Sequence, residues 1–427
     1  MTVDDLEQVW RRCAPDVLAA LVRRHGDFGA AEDALQEALL AAARQWPTDG
    51  VPDNPRGWLV TVASRRLVDR WRSEQARVGR EQLVARRTPA EELLAPPADV
   101  ADRGERDDSL TLLLLCCHPA LNRPAQVALT LRAVAGLNTG QIARAFLVPE
   151  ATMAARIVRA KTRLRQAGVR FAVPAAEGLP DRVAAAAQVL YLVFTEGHVS
   201  TTGAGLYDAS LADEAIRLTR QLHQRLPHAG EVSGLLALML LTDARRSSRT
   251  RHDGSLVPLA EQDRTAWDQT RIREGVALLQ RTLPTGPVGP FQLQAAIAAV
   301  HAGAARAEDT DWAQVETLYR MLGDLAPSPV VTLNHAVAVA MVDGPSAGLD
   351  MLGPLLEDRR LRRHHRLHAV RAHLLEMAGE GERARAAYAV AARLATSIPE
   401  QRYLNTKAAQ GQPVRRPGAS ASESHRA

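Results

Sequence analysis

The sequence predicts an all-α protein, and three observations carry that expectation. Aromatic residues make up only 4% of the 427 positions while Ala and Leu dominate, a composition that favours helices over sheets. Apolar residues recur at steps of three and four along most of the chain. The runs stop at segments dense in Pro, Gly and Asp, which punctuate helices. An apolar content of 46% supports real cores, and the length leaves room for two to four domains.

The first helix or helix pair spans residues 4–25, with Leu6, Val9, Trp10, Val17, Leu18, Leu21 and Val22 facing inward. Asp27 can cap a second helix running from about Ala30 to Trp46 and stopping at Pro47. Leu35, Leu39, Ala42 and Trp46 form its core stripe, while Asp33, Gln36 and Glu37 lie on another face. Helix physics alone leaves that acidic face as either a docking surface or an ordinary solvated one. A Pro-, Gly- and Asp-rich loop, residues 47–57, follows. Asn54 then caps and Pro55 opens a third helix to about Arg77. This helix buries Leu59, Ala63, Leu67 and Trp71 and carries Arg65, Arg66, Arg70 and Arg72 on its other faces.

Charge is unevenly distributed. Residues 55–87 carry net +6, residues 88–108 net −5 and residues 150–173 net +5. Two basic units joined by an acidic tether suggest two separate contacts with a polyanion. Simple disorder explains the tether itself.

The second basic unit begins with SLTLLLLCCHPAL at residues 109–121. Adjacent Cys116 and Cys117, with His118 and no fourth ligand, do not suit one metal ion, so buried core thiols are expected. Leu137–Arg165 reads as helix, tight turn and helix. Ile142, Ala143 and Phe146 stripe the first helix, and Val148-Pro149 ends it and opens the second. There Met153, Ile157, Ala160 and Leu164 stack on one face, whereas Thr152, Arg156, Arg159 and Arg163 line another. A helix buried on one side and cationic on the other fits the major groove of DNA.

Three stretches in order, AEDALQEALLAA, NPRGWLVTVASRRLVDRWR and RPAQVALTLRAVAGLNTGQIARAFLVPEATMAARIVRAKTRLR, resemble regions 2 and 4 of an extracytoplasmic-function (ECF) sigma factor of the sigma-70 family. The resemblance covers roughly residues 1–172. It implies a region 2 helical domain at 1–80, a flexible acidic linker at 81–108 and a region 4 helix-turn-helix domain at 109–173. In region 2 it implies that Asp33, Gln36 and Glu37 dock on the β′ clamp helices of core RNA polymerase. Asn54, Trp58, Arg65, Arg66, Arg70 and Arg72 would then contact the −10 element, with the 47–57 loop beside a flipped base. In region 4, Thr152, Arg156, Arg159, Lys161 and Arg163 would contact the −35 element, and the β flap would be a further polymerase contact. Ala154 and Ala155 stand where many members carry polar residues, which reduces the hydrogen bonds open to base readout.

Residues 174–410 read as helix after helix, and the breaks after MVDG and MAGEGE fall about 37 residues apart, near the ~34-residue period of tetratricopeptide repeats. The reading is a TPR-like α-solenoid, an architecture that binds peptides or protein partners on a concave face, followed by a disordered tail at 411–427. LCCHPAL and VLYLVFTEGH resemble signatures of the ECF subgroup with such an extension, whose members occur beside small YCII-like proteins; the resemblance implies a protein regulator at the C-terminal domain. Within the extension, His364 and His368 have the i, i+4 spacing of a metal pair but sit among arginines, which favours a basic surface. Arg245, Arg246, Arg249 and Arg251 sit in a long loop expected to be exposed.

Three cysteines without a CxxC pattern suit a reducing cytoplasm. No run of 18 apolar residues suggests a membrane span, and the acidic, amphipathic N-terminus is not a signal peptide. No HExxH, Walker loop or nucleophile elbow points to an enzyme, so no catalytic residue, cofactor or metal is expected. The competing reading is a one-component helix-turn-helix regulator with a helical sensing domain, for which the basic 55–87 region is superfluous.

Overall fold

A computed structural model describes residues 3–81, 109–146, 148–175, 177–198, 209–251, 255–359 and 361–410. The expected linker at 81–108, apart from Glu81, and the expected tail lie outside the described residues. The described chain is helical, and its one β pairing is an isolated bridge between Thr250 and Leu256.

The helices are α1 (Val3–His25), α2 (Phe28–Asp49), α3 (Pro55–Glu81), α4 (Ser109–Cys116), α5 (Arg123–Ala133), α6 (Thr139–Ala145), α7 (Glu150–Gln166), α8 (Leu179–His198), α9 (Ala209–Arg225) and α10 (Gly230–Asp243). The chain continues through α11 (Gln269–Thr282), α12 (Pro290–Gly303), α13 (Trp312–Leu325), α14 (Pro329–Asp343), α15 (Pro345–Glu357), α16 (His365–Met377), α17 (Gly381–Leu394) and α18 (Ile398–Ala409). They fall into two compact units. The first holds α1–α10 with residues 273–295, and the second holds residues 244–272 and 296 onward. The division therefore runs inside the C-terminal extension rather than at its start.

In the first unit, α1, α2 and α3 pack on one another around Val17, Leu18, Leu21, Leu35, Trp46 and Leu59, all buried. The Asp27 carboxylate accepts from Ala30 N at 3.0 Å and the Asn54 side chain from Gly57 N at 2.8 Å, so both expected caps form. Two expectations are corrected. α2 passes through Pro47 and ends at Asp49, because a Pro in the last turn forfeits a single backbone bond. Gly50, at φ +85°, closes the helix by donating to Trp46 O. Trp71, placed in the core by periodicity, is 43% exposed.

α4–α7 surround Leu112, Leu114, Leu129, Leu131 and Ile142. Asn138 and Gln141 exchange side-chain-to-backbone bonds at 2.8 and 2.9 Å, a reciprocal cap that starts α6. α8 packs on α4 and α5, tied by Arg182 donating to Leu114 O at 2.8 Å and Arg123 donating to Ala185 O at 3.0 Å. Phe194 stacks on His198, both buried, at the end of α8.

In the second unit, α13 to α18 each pack on the next in sequence, and α14 also reaches α16. That serial order is what a helical repeat array requires. Gly348 permits the α14–α15 approach, since a Cβ there would lie 2.6 Å from Ala336 O and 2.7 Å from Ala340 Cβ. α18 follows α17 as a separate helix after the short 395–397 break. The Arg-rich 245–251 segment is not simply exposed: Arg249 is buried and Arg251 pairs with Glu261 at 2.9 Å. His365 faces Glu400 at 3.2 Å and His368 Nε2 lies 2.8 Å from Arg362 O, so these imidazoles meet protein groups separately.

Candidate nucleic-acid interface

α7 separates its two faces sharply. Met153, Ile157, Ala160 and Leu164 are buried against α5 and α6, and this fixes the rotation of the helix about its axis. Thr152, Arg159 and Arg163 are consequently exposed on the other side, with Arg156 half-buried. Such a row offers a hydroxyl and guanidinium donors to base edges and phosphates. Lys161 departs from it: its ammonium contacts the Glu32 carboxylate and lies 2.9 Å from Asp33 Oδ1, both on α2.

On α3, Arg65, Arg66, Arg70 and Arg72 are exposed. Trp58 is half-buried and meets Trp46 edge-on, ring centroids 5.4 Å apart. It therefore sits at the rim of the 47–57 loop with its ring partly in the core. Arg70 donates to Glu37 at 2.7 Å and to Asp33 at 3.2 Å, and Arg66 stands 3.9 Å from Glu37. Five of the expected contact residues, Asp33, Glu37, Arg66, Arg70 and Lys161, thus form one charge network. Asn54 and Trp58 lie at the other end of the α2–α3 pair, and Thr152, Arg156, Arg159 and Arg163 are outside the network.

Sequence reasoning missed the centre of this network. The Glu32 side chain is 4% exposed and accepts from Arg132 Nε of α5 at 2.9 Å as well as from Lys161. A carboxylate within the apolar run AAEDALQEAL was the available signal, because a buried charge demands a partner. Beside the network, a cleft of about 980 Å³ is lined by Arg24, His25, Arg70, Trp71, Val158 and Arg165, among others. Burial, reinforced by Arg24, lowers the pKa of His25.

Cys116 and Cys117 are fully buried. Burial raises both thiols, Cys117 to about 12 despite its contact with the Thr130 hydroxyl, which keeps them protonated and poorly nucleophilic. Among the described residues no cluster of three or more metal-ligating side chains occurs, and no helix is long and apolar enough to cross a membrane.

Residues 9–77 match the Sigma-70 region 2 family and residues 111–164 match the Sigma-70 region 4 family. Residues 182–283 match a family of unknown function, DUF6596. An uncharacterized protein of Rhizobium meliloti is 43% identical over 398 residues, covering 91% of this chain and 92% of that protein. The probable ECF RNA polymerase sigma factor SigI of Mycobacterium tuberculosis is 29% identical over 174 residues, which is 41% of this chain and 59% of that one. No solved structure matches.

Proposed function

Because the chain belongs to the ECF sigma factors of the sigma-70 family and carries a C-terminal helical extension, we propose that it binds core RNA polymerase and directs it to specific promoters. α2 docks on the β′ clamp helices through Asp33, Gln36 and Glu37. α3, with the 47–57 loop, engages the −10 element through Asn54, Trp58, Arg65, Arg66, Arg70 and Arg72. α7 enters the major groove at −35 with Thr152, Arg156, Arg159, Lys161 and Arg163. The extension holds a protein regulator, and the protein works in the cytoplasm.

The observation that carries this reading is the two-faced α7. Its apolar stripe is fully committed to the region 4 core, so the exposed Thr152, Arg159 and Arg163 are left for an external polyanion. The basic α3 gives a second cationic element, which a one-component regulator does not need. Promoter-dependent run-off transcription with purified core polymerase tests the assignment. A sigma factor confers initiation on bare core enzyme, whereas a one-component regulator acts only when holoenzyme is already present.

A further inference from the structure

In the first unit, region 4 lies on the face of α2 that is assigned above to polymerase. Lys161 holds Asp33, and Gln36 lines a small cleft with Arg132, Leu137, Asn138 and Gln141 of region 4. Around this charged seam the same cleft is lined by Trp10, Leu18, Leu35 and Leu39. The seam is centred on Glu32, whose two cationic partners, Arg132 and Lys161, are both supplied by region 4, from 100 and 129 residues away.

We propose that the Glu32–Arg132–Lys161 contact is an autoinhibitory latch: it closes region 4 over the docking face of region 2, so that closing and polymerase binding exclude one another. The proposal rests on the sigma-factor reading and adds a regulatory state to it. The physical basis is desolvation. Glu32 sits where an unpaired carboxylate is strongly disfavoured, so the closed packing is tolerated only while region 4 supplies it with a cation, and is tightest with both in place. Opening hydrates all three groups, leaves Asp33 with only its exposed Arg70 partner, uncovers Gln36 and releases Lys161. The latch thereby specifies one closed arrangement rather than a loose collapse, and core polymerase opens it by competing for the same acidic face.

The seam carries its own test. A Cβ built on Gly29 lies 3.8 Å from Lys161 Cβ, a separation typical of disulfide-bonded residues. The full-length Gly29→Cys/Lys161→Cys double variant is oxidised under mild conditions, and each redox form is assayed for binding to core polymerase without promoter DNA, since Lys161 is also assigned to the −35 contact. Wild type taken through the same cycle controls for Cys13. The expected result is ready disulfide formation, at least a tenfold loss of polymerase binding in the oxidised form, and recovery on reduction.

Failure of the disulfide to form in the folded chain overturns the closed state. An oxidised form that binds core polymerase as well as the reduced one overturns the latch and leaves the sigma reading intact. Absence of polymerase binding by wild type in either redox state sinks the sigma reading, and the latch with it. Arg132→Gln, a substitution outside the proposed DNA and polymerase contacts, gives a second readout at matched folded fraction. Removing one cation from Glu32 is expected to raise the affinity for core polymerase at least threefold, and an unchanged affinity overturns the proposal.

Discussion

Arg70 donates to Glu37 at 2.7 Å, joining a side chain assigned to the −10 strand to one assigned to core polymerase. Both side chains are nearly half exposed. Pairs of that kind are worth about 0–1 kcal/mol, so this contact is readily exchanged for an external partner. Glu32, on the adjacent turn of the same helix, is buried and has no such freedom. One helix therefore carries an exchangeable pair on its exposed side and a latch at its buried side.

Arg70→Ala is accordingly expected to leave thermal stability within about 1 kcal/mol of wild type while impairing open-complex formation. Permanganate footprinting of the −10 region and a melting curve measure the two effects. A large stability loss with intact melting of promoter DNA would reverse the assignment.

The two faces of α7 should separate cleanly. Ile157→Ala removes a buried side chain from the region 4 core and should cost about 2–5 kcal/mol. Arg159→Ala should leave stability unchanged, weaken −35-dependent binding and reduce the salt slope of that binding by about one. Denaturant titration and binding isotherms at several salt concentrations provide both readouts.

The extension shields the region 4 core. α8 lies on α4 and α5, and Arg182 caps Leu114 O two residues before the buried Cys116. Deleting residues 175–427 should expose Cys116 and Cys117 and speed their reaction with a thiol reagent by at least tenfold, against slow labelling in the full chain. Equal rates would show that α8 does not cover this core.

The second unit should weaken in acid. Burial, together with Arg264 and Arg245, holds the pKa of His301 at about 4, below its ordinary 6.5. Above 6.5 the imidazole is neutral in both folded and unfolded chains and costs nothing. As pH falls from 6.5 towards 4 the unfolded chain takes up the proton first, so stability is lost across that window, by up to about 3 kcal/mol before solvent screening. His301→Gln should flatten this part of the stability–pH curve, measured by chemical denaturation between pH 7 and 4.

Gly348→Ala places a Cβ 2.6 Å from Ala336 O at the α14–α15 crossing. Because the obstacle is backbone, it cannot rotate away. A loss of about 1–3 kcal/mol is expected, seen in the melting of the second unit.

Local patterning was enough to read the helices, the caps at Asp27 and Asn54 and the two faces of α7, because each depends on side chains within one or two turns of one another. Pro47 misled as a helix stop because the cost of a proline depends on its position in the final turn, and periodicity does not register that. Trp71 misled because an apolar residue at a core spacing is buried only if another element covers it. Tertiary structure alone decided that Glu32 meets Arg132 and Lys161, residues more than 90 positions away. The sequence determined which groups are charged and which helix faces carry them. Their mutual pairing follows from long-range packing of region 4 on region 2, which sets which charges lose water and must therefore find one another.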